Sequence, residues 1–122
     1  MAIGYFFDSY AIIELTKGNP RYAQFSDTVV TLTIFNIVEI VYSALQELSE
    51  EKAREVYDQF IDCVQDVDKA MVLEALELKR KYKKWDLSYT DCIGYAFARQ
   101  RNLRFLTGDS KFKDLENVEF VK

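Results

Sequence analysis

The sequence predicts an α/β fold, a three-layer α/β/α sandwich built on a central parallel sheet of four or five strands. Short apolar, uncharged runs alternate along the chain with longer stretches in which apolar residues recur at helical spacing. The short runs are apolar throughout, which is typical of strands that helices cover on both faces. A chain of 122 residues can bury one core, so we expect residues 1–122 to form a single domain.

The first half of the chain carries two predicted strands and four predicted helices. In chain order they are a strand, two helices, a strand and two helices, over residues 3–7, 8–18, 21–26, 29–33, 34–48 and 49–61. Asn19-Pro20 is a stop signal for the first helix, and Ser49 followed by acidic residues is a typical helix start.

The second half carries three predicted strands and two long predicted helices. In chain order they are a strand, two helices and two strands, over residues 63–67, 68–84, 88–101, 103–107 and 118–121. Asp68 and Ser88 are suitable N-caps for the two helices, and Gly108-Asp109 leads into a short helical segment.

The composition excludes several kinds of chemistry and of setting. Histidine is absent, which excludes Ser-His and Cys-His triads and His-ligated zinc. Cys63 and Cys92 form neither a disulfide framework nor a zinc site and favour a reduced, cytoplasmic setting. The net charge of −4 predicts no general attraction to nucleic acid. The sparsely charged residues 28–46 include several polar side chains, so we expect a buried strand and helix rather than a membrane span.

Four acidic residues stand in apolar surroundings at predicted strand ends or in the first turns of helices. They are Asp8, Glu39, Asp91 and Asp109. The carboxyl ends of parallel strands share one edge of a sheet, so the four carboxylates should meet there. Such a cluster is strongly self-repelling unless a cation neutralises it. Oxygen ligands without histidine or paired cysteine select a hard ion, Mg²⁺ or Mn²⁺.

An ordinary structural role is open for each acid. Asp8 and Asp109 occupy positions typical of N-caps, and Ser88 with Asp91 has the spacing of a capping box. Capping is the favoured explanation for each of these three alone. Glu39 is the only charged residue from position 28 to 46, inside an apolar helix, where a buried pair with Arg or Lys is the alternative. Taken together, the four acids favour a site.

The acids lie in four segments that occur in a known order, FFDSYAIIEL, FNIVEI, LSYTDCIGYAFA and LTGDSKF. With these segments the chain resembles the PIN domain family, and within it is similar to the VapC-type toxins of prokaryotic toxin–antitoxin pairs. The resemblance covers nearly the whole chain. It implies a PIN-like fold and metal-dependent hydrolysis of RNA phosphodiester bonds.

Carried over residue by residue, the resemblance assigns a role to each site residue. Asp8 and Asp91 would be central metal ligands, with Asp109 as a further ligand or the holder of a second ion, and Glu39 would orient the attacking water. Two hydroxyl groups, of Ser9 and Thr107, would orient carboxylate or phosphate oxygens. The chain departs from the family at Tyr10, where a small residue is common, and at Gly108, where a basic or polar residue is usual.

The resemblance also implies partners: an RNA substrate, a cognate antitoxin protein and a second copy of the chain in a homodimer. Two alternatives stay open, a housekeeping RNA-processing nuclease without antitoxin and a non-catalytic module that binds RNA or protein. A haloacid-dehalogenase-type phosphotransferase is disfavoured because Tyr10 stands where its second Asp is needed. The basic run KRKYKKW, residues 79–85, would either hold RNA backbone and stack a base or form the solvated last turn of a helix.

Overall fold

A computed structural model describes residues 3–122, in which three strands and five α-helices form, fewer strands than the four or five predicted. The strands are β1 (Tyr5–Phe7), β2 (Arg104–Thr107) and β3 (Val118–Phe120). The helices are α1 (Ser9–Thr16), α2 (Ile34–Glu47), α3 (Glu50–Phe60), α4 (Lys69–Lys81) and α5 (Tyr89–Gln100). Short 3₁₀ helices span Pro20–Phe25, Ile61–Cys63, Lys83–Trp85 and Ser110–Phe112.

The three strands form a parallel sheet in the order β1-β2-β3. The predicted strands over residues 29–33 and 63–67 are reduced to one isolated parallel bridge between Leu32 and Val64. The first of these segments also accepts a hydrogen bond at Thr31, whose carbonyl oxygen lies 2.9 Å from the amide nitrogen of Phe7. Val29 is 82% exposed, whereas Val30 packs against the core and Leu32 is fully buried.

Helices cover both faces of the sheet, which confirms the predicted fold class. Successive strand residues face opposite ways, so Phe6 and Phe105 pack among residues of α4 and α5. On the other face, Phe7 and Leu106 pack among residues of α1, α2 and α3. All four of these side chains are fully buried.

The helix boundaries follow the signals read from the sequence, with one exception. Ser49 accepts a hydrogen bond from the Lys52 amide at 3.0 Å, and Asp68 accepts one from the Met71 amide at 2.9 Å. The predicted helix over residues 68–84 instead ends at Lys81 and passes into a 3₁₀ turn. Asp86 follows that turn with φ 51°, in the left-handed region, which redirects the chain into α5.

The sparsely charged residues 28–46 form loop, bridge and most of α2. Within residues 3–122, no helix is both long enough and apolar enough to cross a membrane. Cys63 and Cys92 are free thiols, and the Cys92 side chain is buried.

Candidate active site

The predicted site residues gather at the carboxyl end of the sheet. Asp8 follows β1 directly, and its amide donates to the Leu106 carbonyl at 3.0 Å, which extends the pairing with β2. Thr107 is the last residue of β2, and Asp109 lies two residues beyond it. Asp91 stands in the first turn of α5, and Glu39 lies further along α2.

Asp8 is a buried carboxylate with only 3% of its surface exposed. Its Oδ2 accepts a hydrogen bond from the Thr107 hydroxyl at 2.8 Å. Burial raises the pKa of Asp8 to about 7, and the nearby charges of Asp91 and, to a smaller extent, Glu39 act in the same direction. The hydrogen bond from Thr107 lowers this pKa but does not offset the rise. Asp8 holds the N-cap position of α1, but its side chain makes no capping hydrogen bond. The cap explanation therefore fails for this side chain.

Glu39 is half-buried at the end of a chain of hydrogen bonds. The Ser9 hydroxyl donates to Glu39 Oε1 at 2.6 Å, and Asn36 Nδ2 donates to the Ser9 hydroxyl oxygen at 3.0 Å. Burial and then the Asp91 charge raise the pKa of Glu39, whereas the Ser9 hydrogen bond lowers it. None of the ion pairs formed within residues 3–122 involves Glu39, so the predicted alternative of a buried pair with Arg or Lys is wrong.

Asn36 is a site residue that the sequence interpretation missed. Its side chain is fully buried, and its Oδ1 accepts from both the amide and the hydroxyl of Thr33 at 3.0 Å. The T-x-x-N spacing at the start of α2 was the available local signal, because it is compatible with helix capping. The contact with Ser9 on α1 has no local signal, since it depends on how the two helices pack.

Asp91 and Asp109 both cap helices, as their positions indicated. Asp91 Oδ2 accepts from the Ser88 amide at 2.9 Å, and the Ser88 hydroxyl accepts from the Asp91 amide at 3.0 Å. Asp109 Oδ1 accepts from the Lys111 amide at 3.0 Å. Burial and the charge of Asp109 raise the pKa of Asp91, and Ser88 and Lys111 lower it. A carboxylate has two oxygens, so these caps leave each residue able to bind a further group.

A family model described as PIN domain matches residues 5–118 of this chain. The chain belongs to the PIN domain family. The resemblance recognised in the sequence is thereby confirmed. No curated protein matches the chain.

Several solved structures share the fold of this PIN domain. One is the toxin VapC20 of Mycobacterium tuberculosis, described as cleaving the sarcin-ricin loop, with a TM-score of 0.78, 16% identity and 97% of each chain covered. Another is a DNA-bound VapBC from Salmonella typhimurium, with a TM-score of 0.74, 15% identity and 98% of each chain covered. A toxin–antitoxin complex from Klebsiella pneumoniae matches with a TM-score of 0.73, 19% identity, and 95% of this chain and 96% of that chain covered.

The two departures of this PIN domain from the family pattern pack against each other. A Cβ atom added to Gly108 would lie 2.3 Å from Tyr10 Cε1 and 2.3 Å from the Val121 carbonyl oxygen. The Tyr10 ring thus occupies the space into which a side chain at position 108 would project. The Tyr10 ring therefore packs directly against Gly108, and a larger residue at 108 requires a change at Tyr10.

The donor chemistry of the acid cluster fits a hard divalent ion. The cluster offers carboxylate and hydroxyl oxygens, and burial together with neighbouring acidic charges raises the pKa values of Asp8, Glu39 and Asp91. Within the described part of the chain, no three Cys, Asp or Glu side chains are already arranged to hold a metal ion. Asp8, Glu39, Asp91 and Asp109 each accept a hydrogen bond from a neighbouring hydroxyl or amide.

Proposed function

We propose that this PIN domain is an Mg²⁺- or Mn²⁺-dependent endoribonuclease that hydrolyses RNA phosphodiester bonds in the cytoplasm. The observation that carries the proposal is the environment of Asp8. A buried carboxylate with a pKa of about 7, repelled by Asp91 and Glu39, is poorly compensated by the protein alone. A divalent cation would offset both the burial and the repulsion. It would also let an acidic protein approach a polyanion.

The proposed roles are those that the resemblance to PIN domains assigns to these residues. A bound divalent ion would supply charge neutralisation at the scissile phosphate and a more acidic attacking water. Asp8 and Asp91 would hold it, with Asp109 as a further ligand. Glu39 would orient the attacking water and accept its proton. The hydrogen bonds to Asp8 and Glu39 support Thr107 and Ser9 as groups that orient carboxylates.

The substitution Asp8→Asn tests the assigned site. We expect RNA cleavage to fall by more than about a hundredfold, since loss of even a residue that only hydrogen-bonds to a metal ligand costs about 10–100-fold. Cleavage of a labelled RNA should be measured with Mg²⁺, with Mn²⁺ and with EDTA, beside the control Asp58→Asn on the exposed side of α3. Activity that persists in EDTA, or in Asp8→Asn at the wild-type rate, would contradict the proposal.

We further propose that the nuclease is the toxin of a type II toxin–antitoxin pair and forms a homodimer. Solved structures with this fold are described as toxin–antitoxin or VapBC complexes. The chain also exposes a row of apolar side chains along α2, which favours association with protein. These are Ile34, Val38, Tyr42 and Leu45. Light scattering on the purified chain should give twice the mass of one copy.

A further inference from the structure

A groove between the end of α4 and the start of α5 is lined by both cations and aromatic rings. Its volume is about 390 Å³, and its lining includes three cations, Lys79, Arg80 and Lys83, beside one acid, Asp86, and the rings of Tyr82 and Tyr89. The basic run over residues 79–85 supplies one wall, although the whole chain carries a net charge of −4. The groove is therefore a local concentration of positive charge on an acidic protein.

Lys79 connects the two sides of this groove. Its ammonium group donates to the Leu87 carbonyl at 2.7 Å and lies 4.6 Å from the centroid of the Tyr89 ring. The two contacts join α4 to the segment that enters α5. For Lys79, the alternative of a solvated lysine in the last helical turn is therefore wrong.

Other cations of the run remain available to a ligand. Arg80 pairs with Glu77, but the two side chains are 74% and 68% exposed, so this ion pair is weak and open to competition. Lys83 and Lys84 take part in none of the ion pairs formed within residues 3–122. Both lie beyond Lys81, where α4 ends, so the last turn of the helix does not account for them.

The aromatic side chains give the groove flat surfaces beside these charges. Tyr82 stacks on Trp85 with ring centroids 4.9 Å apart and an interplanar angle of 28°. Tyr89 is 63% exposed, although Lys79 lies over its ring. A phosphate chain with unstacked bases uses this combination, since cations bind its backbone and aromatic rings stack its bases.

The groove adjoins the acid cluster at the start of α5 and at the turn after β2. Tyr89 and Asp91 both lie in the first turn of α5, although at this spacing their side chains point to different sides of the helix. On the other side, Lys111 donates from Nζ to the Asp86 carbonyl at 3.1 Å, while its amide donates to Asp109 at 3.0 Å. A strand bound in the groove would therefore continue towards the acids.

We propose that this groove is a subsite for single-stranded RNA, in which Arg80 and Lys83 bind backbone phosphates and Tyr89 stacks one base. The subsite rests on the proposed nuclease function and extends it, because it gives the substrate a path beside the acid cluster. An acidic peptide would satisfy the cations but has no base to place against the Tyr89 ring. RNA is therefore the favoured ligand.

The test measures RNA binding in EDTA, where metal-dependent cleavage cannot occur. The binding of a short, labelled, unstructured RNA is measured by fluorescence anisotropy at several salt concentrations. The groove variant is Arg80→Glu/Lys83→Glu, and the matched control is Lys52→Glu/Arg54→Glu, on exposed residues of α3. The groove variant should reduce the slope of log affinity against log salt by about 1.4, since each single-strand phosphate contact contributes about 0.7. The control should keep the wild-type slope.

A second pair of variants isolates stacking from charge. Tyr89→Leu should weaken binding roughly fivefold to a hundredfold, the range expected for loss of one stacked base, whereas Tyr89→Phe should bind like wild type. Trp85 is the single tryptophan of the chain and stacks on Tyr82 in the groove wall, so RNA should change its fluorescence in the unmodified protein. Circular dichroism melting confirms that each variant is folded.

The outcomes separate the subsite from the nuclease. Equal RNA binding by the wild type and the groove variant, equal loss in the control, or binding of a polyglutamate peptide in place of RNA would overturn the subsite. If the groove variants bind normally while the wild type cleaves RNA with Mg²⁺, the subsite fails and the nuclease stands. If the wild type binds RNA through the groove and cleaves none with Mg²⁺ or Mn²⁺, the nuclease fails and the subsite stands.

Discussion

At the scale of single residues, Asp8 is the acid of the cluster whose charged form is most strongly disfavoured by burial and by its neighbours. Its carboxylate is buried and close to two other acids, and the hydrogen bond from Thr107 only partly compensates for this. Folding therefore favours the protonated form of this side chain. The energetic consequence is a dependence of stability on pH.

The metal-free protein should be less stable at pH 8 than at pH 5. The pKa of Asp8 rises from 3.8 to about 7 on folding, so between these values the folded state holds a proton that the unfolded state has released. Stability therefore falls as pH rises through this window, by an amount on the order of a few kcal/mol. The raised pKa values of Glu39 and Asp91 act in the same direction. Urea denaturation in EDTA across the window measures the effect.

The substitution Asp8→Asn should flatten this pH profile and raise stability at pH 8, because it removes the buried charge. The control Asp58→Asn, at an exposed position, should leave the profile unchanged. Stability that increases from pH 5 to pH 8 in the wild type, or an unchanged profile in Asp8→Asn, would show that Asp8 is not held in this way.

At the scale of elements, the packing of α1 on the ends of β2 and β3 depends on the pair Tyr10 and Gly108. The Tyr10 ring and the Val121 carbonyl together occupy the space next to the Gly108 Cα. The Tyr22 hydroxyl also donates to the Val121 carbonyl, which ties the segment after β3 to the 3₁₀ helix that follows α1. Position 108 therefore lies against α1 and the segment after β3, and the latter is in turn bonded to the 3₁₀ helix.

Gly108→Ala should destabilise the protein by about 1–3 kcal/mol, the usual cost of overpacking. In a Tyr10→Ala background the cost should shrink by at least about 1 kcal/mol, since the ring no longer occupies the site and only the clash with Val121 remains. A double-mutant cycle by chemical denaturation measures this coupling. Paired with Tyr42→Ala, on the exposed face of α2, Gly108→Ala should be additive. Additivity with Tyr10→Ala would contradict the packing assigned here.

At the scale of the whole molecule, a cluster of acidic residues and a groove whose charged lining is mainly basic lie next to each other. The acids meet at the carboxyl end of the sheet, and the basic groove opens beside them between α4 and α5. An excess of acidic residues over the whole chain is thus compatible with a polyanionic substrate. Local arrangement, rather than net charge, decides the approach.

If the protein is a toxin, its expression in a bacterial host should arrest growth, and Asp8→Asn should abolish the arrest. A small protein encoded beside its gene should relieve the arrest and purify with the chain. Growth curves with and without co-expression measure both effects, with Asp58→Asn as the variant expected to stay toxic. Arrest by wild type that no neighbouring protein relieves would favour a nuclease without antitoxin.

Much of the architecture was predictable because its signals are local. Ser49 and Asp68 start helices through bonds to amides three residues on, and the period of apolar residues predicted α2 almost to its last residue. The four acids were recognisable because each stands in an apolar segment. Segments 29–33 and 63–67 were overpredicted as strands, since their composition suits a sheet but within residues 3–122 their sheet pairing consists of the bridge between Leu32 and Val64 and one backbone bond from Phe7 to Thr31.

By itself the sequence determined the fold class, the order of the elements, the helix starts and the identity of the acidic residues. Those properties depend on residue type and on spacing along the chain. Only the tertiary structure decided that Asp8 bonds to Thr107 instead of capping α1, that Asn36 and Ser9 hold Glu39, and that Tyr10 covers Gly108. Each of these contacts joins residues far apart in the chain, so its partner is set by helix packing and strand register, for which short-range spacing carries no signal.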